Sequence, residues 1–283
     1  MKKAIILSLA LLPLTSFAEN KKSKSWPLPH SVAVYFEQND NGKWGLGIEQ
    51  DGKAFLAREK PVNIEIYEDG DVIKTLNSGY DRFTEKNGCY IAEAKVTHGD
   101  ASFLATDKWS VVGDALQVNR KLVVRGNMPG GFMSGIQLSF HQPATRDSVK
   151  IFAPGMIYGT SDHLTARAIG GKDCKDFIRI REDRLPAPLF GAYFDNGLSL
   201  TVLNSKPDAR TTKEDSRDLE ATTMIDGGLR FGAIGADFDQ ANPEFGYWFP
   251  GSEGGVTYQG MTYPHGHMRK WSRRYHPISE GLV

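Results

Sequence analysis

Apolar and polar residues alternate with a period of two along most of the chain. "VNIEIYE" sets Val62, Ile64 and Ile66 against Asn63, Glu65 and Tyr67. "ALQVNRKLVV" repeats the pattern with Leu116, Val118, Leu122 and Val124, "GIQLSF" with Ile136, Leu138 and Phe140, and "LSLTVLN" with Leu198, Leu200 and Val202. Successive side chains of a strand point to opposite faces, so this alternation predicts strands with one face buried and the other wetter. The runs are separated by "NDNGKWG", "EQDGK", "YEDGDV", "EKNGC", "FDNGLS" and "IDGGL". Their Asn-Gly and Asp-Gly pairs supply the positive φ angles of tight hairpin turns. No stretch combines helix caps with a 3.6-residue period over three turns. The expectation is an all-β chain, a large antiparallel two-sheet β-sandwich, since an immunoglobulin-like sandwich holds too few strands.

The ends of the chain modify this picture. Residues 1–18, "MKKAIILSLALLPLTSFA", pair a basic start at Lys2 and Lys3 with an apolar run and small residues at Ser16 and Ala18. This is the pattern of a cleavable signal peptide, with cleavage near Ala18 and a periplasmic or secreted product. The apolar run is too short to span a bilayer comfortably and none like it follows, so no membrane span is expected. Residues 19–27 form a polar lead-in, and 28–283 a single sandwich domain. The polar stretch 204–223 suits a long surface loop better than a linker.

Charge and cysteine content narrow the function classes. The 34 basic and 34 acidic residues balance, which argues against a general nucleic-acid partner. Cys89 and Cys174 allow one disulfide in an oxidising compartment, with two separate buried thiols as the alternative. Neither has a partner at metal-ligand spacing. There is no nucleophile elbow, P-loop, His-Glu-x-x-His or EF-hand motif, and no cofactor is expected.

Two clusters carry candidate chemistry. In "IREDRLPAPLF" the charges Arg181, Glu182, Asp183 and Arg184 precede Pro186 and Pro188, whose fixed φ holds the segment extended. Arg181 and Arg184 are candidates for bidentate contact with a carboxylate or sulfate, and Asp183 and His163 for polar orientation. A self-neutralising ion-pair network that fixes a loop is the competing reading. The second cluster, residues 245–277, holds Trp248, Tyr263, His265, His267, Trp271, Tyr275 and His276 among Arg269, Lys270, Arg273 and Arg274. Trp248, Tyr263 and Trp271 are candidates for stacking on sugar rings, with His265 as a hydrogen-bonding neighbour; a packed core with a cationic rim is the alternative. His265 and His267 lack a third ligand, so no metal is expected.

"DKWSVVGDALQVNRKLVVRGNMPGGFMSGIQLSF", "IFAPGMIYG" and "REDRLPAPLFGAYFDNGLSLTVLN" together resemble the N-terminal β-supersandwich domain of bacterial six-hairpin glycosidases, over about residues 100–277. The resemblance implies a galactose-mutarotase-like sandwich that lends loops to the cleft of an (α/α)6 toroid bearing the catalytic carboxylates. No such helical domain is present in this chain. The expected function is therefore the non-catalytic N-terminal part of a glycoside hydrolase or polysaccharide lyase acting on acidic polysaccharide, with an oligo- or polysaccharide and a C-terminal toroid domain as partners. The alternatives are a stand-alone carbohydrate-binding or mutarotase-like sandwich and a structural envelope protein.

Overall fold

The computed structural model describes residues 25–68, 71–141, 143–145, 148–155, 157–159, 177–182, 185–195, 197–207, 223–225, 232–238, 242–251 and 273–282. Every extended element among them is a strand, and no helix among them is long and apolar enough to cross a membrane.

The largest sheet is organised around β11 (Gly131–Phe140). One edge of β11 forks. Its C-terminal end pairs with β4 (Lys53–Arg58), the last strand of a meander that begins with β1 (Trp26–Leu28), β2 (Val32–Gln38) and β3 (Trp44–Gln50). Its N-terminal half pairs with β5 (Val62–Glu68), from Gly131↔Tyr67 to Gly135↔Asn63, and β5 carries β6 (Asp71–Ser78). The other edge takes β19 (Glu244–Phe249), then β18 (Ala233–Asp237) and β14 (Phe177–Arg181). Near the start of β11 that edge also pairs with β20 (Arg273–Pro277), which holds β17 (Thr223–Ile225) in the parallel sense.

Two smaller antiparallel sheets complete the sandwich. The five-stranded one runs in the order β7 (Arg82–Lys86), β8 (Cys89–His98), β9 (Ala101–Val112), β10 (Ala115–Arg125), β21 (Gly281–Leu282). The four-stranded one runs β13 (Ile157–Gly159), β12 (Val149–Ala153), β15 (Leu189–Phe194), β16 (Ser199–Leu203). Both lie on the same face of the large sheet. Phe132, near the start of β11, meets Phe103 of β9 with ring centroids 5.0 Å apart. Phe140, at its end, stacks on Phe194 of β15 at 4.1 Å. The molecule is thus an all-β sandwich in two layers, one hydrophobic cluster running continuously between them.

Hairpin chemistry acts as the sequence predicts at two turns. Asp51 and Gly52 have φ of 50° and 72°, and Asn87 and Gly88 have 53° and 69°. Two consecutive left-handed residues give the backbone twist that matches paired strands.

Inside the sandwich, a pair of opposite charges occupies apolar phases, Asp107 on β9 and Arg120 on β10. In β10, Arg120 follows Leu116 and Val118 and precedes Leu122 and Val124 in the alternation. All five of its N–H donors are used. Nε and Nη2 donate to Asp107 at 2.7 and 2.6 Å, Nη1 to Gly135 O at 2.6 Å and Ser134 Oγ at 3.3 Å, and Nη2 also to Pro61 O at 3.2 Å. Asp107 is wholly buried and accepts a further bond from Tyr80, whose oxygen accepts from Trp109 Nε1. The location explains the charge. Among the described residues Ile136–Leu138 have no ladder partner on the forked edge, and Arg120 bridges the fork from Gly135 on β11 to Pro61 just before β5.

Candidate functional site

The outer face of the large sheet, turned away from the sandwich core, departs from the wetter face that alternation predicts. On β5, Asn63 and Tyr67 are buried, and on β11 so is Met133. With Trp248 and Tyr275 they surround a second apolar cluster, made of Tyr67, Met133, Trp248 and Tyr275. Glycines make room for its rings. A Cβ on Gly131 would lie 2.0 Å from Tyr275 Cδ2, and one on Gly135 would lie 3.0 Å from Trp248 Cδ1 and 3.1 Å from Asn63 Oδ1. Tyr275 stacks on Tyr67 at 5.0 Å and 17°.

The register places Arg181, Ala233, Trp248, Gly135, Asn63 and Asn77 in one row across β14, β18, β19, β11, β5 and β6. One step away lies the row Arg179, Gly235, Gly246 and Gln137. Arg179 nonetheless reaches Glu65 on β5, with Nη2–Oε1 at 3.0 Å and Nη1–Oε2 at 3.3 Å. Three strands separate β14 from β5. In a flat sheet with strands about 4.8 Å apart, their backbones would stand roughly 19 Å from one another, farther than the two side chains span. The sheet therefore curls, and its outer face is concave.

At the bottom of this trough, the Arg179 guanidinium lies over the Trp248 ring, 4.4 Å from its centroid. It also contacts Met133 Sδ at 3.1 Å, while the Tyr67 hydroxyl donates to Glu65 Oε2. Arg179 is 3% and Trp248 0% exposed. Burial alone would disfavour the guanidinium cation, but the Glu65 carboxylate outweighs it and, with Tyr67, holds the Arg179 pKa above its ordinary value. A second ion pair, Arg58 with Glu244, flanks the trough, tied to Ser139 and Gln137. Both carboxylates face arginines. The arrangement is a buried aromatic floor in which each cation faces a carboxylate, with half-buried Arg181 at its end.

The charged run at 181–184 divides in function. Arg181 ends β14 on the outer face, half-buried. Glu182 turns inward, 3% exposed. Its Oε1 accepts from Gly232 N at 2.6 Å and the Tyr247 hydroxyl at 3.1 Å, and its Oε2 from Asn204 Nδ2 at 2.8 Å. Burial, then the Glu182 charge, push the Tyr247 hydroxyl well above the ordinary tyrosine range. Glu182 thus ties the end of β14 to β18, β19 and the segment after β16. Asp183, Arg184, His163, Tyr263, His265, Trp271 and Cys174 lie outside the described residues. Of the residues singled out in the sequence, Arg181 and Trp248 are brought onto one row. Cys89, at the start of β8, is half-buried and carries a free thiol.

Glu65, Tyr67 and Arg179 were not singled out by sequence, whereas Tyr275 belongs to the 245–277 cluster. The available signals were Tyr67 at a polar phase of β5 and Arg179 between Ile178 and Ile180. Among the described residues no three His, Cys, Asp or Glu side chains converge as a metal site. Comparison with known proteins finds no matching family model, no similar curated protein and no similar solved structure.

Proposed function

We propose that the chain is an exported carbohydrate-active protein, the non-catalytic β-sandwich part of a glycoside hydrolase or polysaccharide lyase acting on acidic polysaccharide. In this reading the trough of the large sheet is the saccharide-binding face, and a helical toroid domain outside this chain supplies the catalysis. The observation that carries it is the concave row in which half-buried Arg181 stands beside the Trp248–Arg179 floor. Concave, largely apolar surfaces with a few placed charges are where small ligands bind, and desolvated ion pairs with shifted pKa values concentrate at functional sites. Guanidinium groups hold sugar carboxylates in bidentate fashion. The pairing of Glu65 with Arg179 and of Glu244 with Arg58 favours binding over catalysis, because a general acid or base must face its substrate.

The test is equilibrium binding of the full chain to uronic-acid oligosaccharides and to neutral ones of equal length. Arg181→Ala and Arg184→Ala together should weaken uronate binding about tenfold or more, as loss of charged hydrogen bonds worth roughly 1.5–3 kcal/mol requires. Neutral ligands should change little. Equal loss for both ligand types contradicts the assignment of the arginines.

A further inference from the structure

His276 has a position that its chemistry makes conditional. It lies on β20 opposite Phe132 of β11, on the core side of the sheet. Its ring packs against Phe132 at 5.8 Å and Phe249 at 5.2 Å. The residue is 6% exposed, and its Nε2 is buried with no hydrogen-bond partner. The next residue towards the N-terminus, Tyr275, points to the other face and stacks on Tyr67 in the trough. Among the described residues β20 is held to β11 by two register pairs, Gly131↔Pro277 and Phe132↔His276, and to β17 by three.

We propose that β20 is an acid-released latch: a proton on His276 Nε2 drives the imidazole out from between Phe132 and Phe249, and the same movement withdraws Tyr275 from the trough. An imidazolium is a cation that needs water or an acceptor, and this niche offers aromatic carbon. Adjacent residues of a strand face opposite sides, so the core-facing His276 and the trough-facing Tyr275 move together.

Among the described residues, no unpaired acid faces His276 to stabilise the proton. β11 and β17 carry no titratable side chain. On β19, Glu244 sits at the far end and is paired with Arg58. On β9, Asp107 is taken by Arg120. Beyond β20, Glu280 is paired with Arg125. On β20 itself, the other charged residues are Arg273 and Arg274. Burial accordingly lowers the His276 pKa to about 4.

The sign follows from linkage. A histidine depressed from about 6.5 in the released strand to about 4 in the docked one stabilises docking above pH 6.5 and loses that contribution as pH falls towards 4. The opening equilibrium of β20 should therefore be about thirty-fold larger at pH 5 than at pH 8.

The latch does not depend on what the trough binds, so its test needs no ligand. Amide hydrogen exchange of the full chain, corrected for the intrinsic pH dependence of exchange, should show β20 opening about thirty-fold more at pH 5 than at pH 8, and His276→Phe should remove the rise. A direct NMR titration of the His276 ring in the unmodified chain covers the case in which the variant fails to fold. A ring titrating near its ordinary value, or an equal rise in exchange in the Phe variant, overturns the proposal.

Discussion

Two residues set local geometry on which much else rests. Gly131 and Gly135 are spaced four apart on β11, and an aromatic ring lies across each. A methyl group at Gly131 would meet the Tyr275 ring and the His276 carbonyl at 2.0 and 2.5 Å, whereas at Gly135 the nearest atoms stand at 3.0 Å. Gly131→Ala should cost about 1–3 kcal/mol or more by overpacking, and Gly135→Ala distinctly less. Chemical denaturation of the two variants ranks them, and the reverse order would deny that Tyr275 lies flat on β11. Arg120 offers a second residue-scale test. Removing only Asp107 leaves a buried cation and should cost roughly 3–5 kcal/mol, whereas replacing Asp107 and Arg120 together by Leu and Met should cost less than the two single changes summed. Additive losses would mean that the pair is not the unit that bridges the fork.

At the scale of elements, hairpins were legible in the sequence and the second buried face was not. Asp51-Gly52 and Asn87-Gly88 declare their turns because positive φ at two successive positions suits few other residues. The inward phase of β10 was also legible, but the alternation was read from Leu116, Val118, Leu122 and Val124 alone and left the buried charge of Arg120 unmarked. The trough was hidden because its members come from Tyr67, Met133, Trp248 and Tyr275, and its ion pair joins residues 114 positions apart. Alternation reports which side chains share a face, not which faces the rest of the chain will cover. Glu182 illustrates the same limit. In a run of four charges nothing marks one as internal, yet it accepts three hydrogen bonds that join β14, β18 and β19 to the segment after β16. Glu182→Ala should leave Gly232 N and the Tyr247 hydroxyl unsatisfied and destabilise this corner by about 2–4 kcal/mol. Exchange should rise first in β14 and β18; a uniform rise across all three sheets would argue against a local tie.

For the whole molecule, the two faces of the large sheet divide the labour. The inner face buries one continuous apolar cluster against the five- and four-stranded sheets and accounts for stability. The outer face collects ion pairs, which are a costly way to stabilise a sheet and which, in the function proposed, preorganise a binding surface. The four-stranded sheet presents a rival surface. Tyr193 and Leu203 are 48% and 54% exposed on its outer face, and exposed apolar patches also mark interaction sites. One experiment separates the two: hydrogen exchange of the full chain with and without a saturating uronic-acid oligosaccharide. Binding in the trough predicts protection concentrated in β14, β18 and β19 and in the β5–β11 pair, with little change in β15 and β16. Protection confined to β15 and β16, or none anywhere, would contradict the assignment of the concave face as the saccharide site.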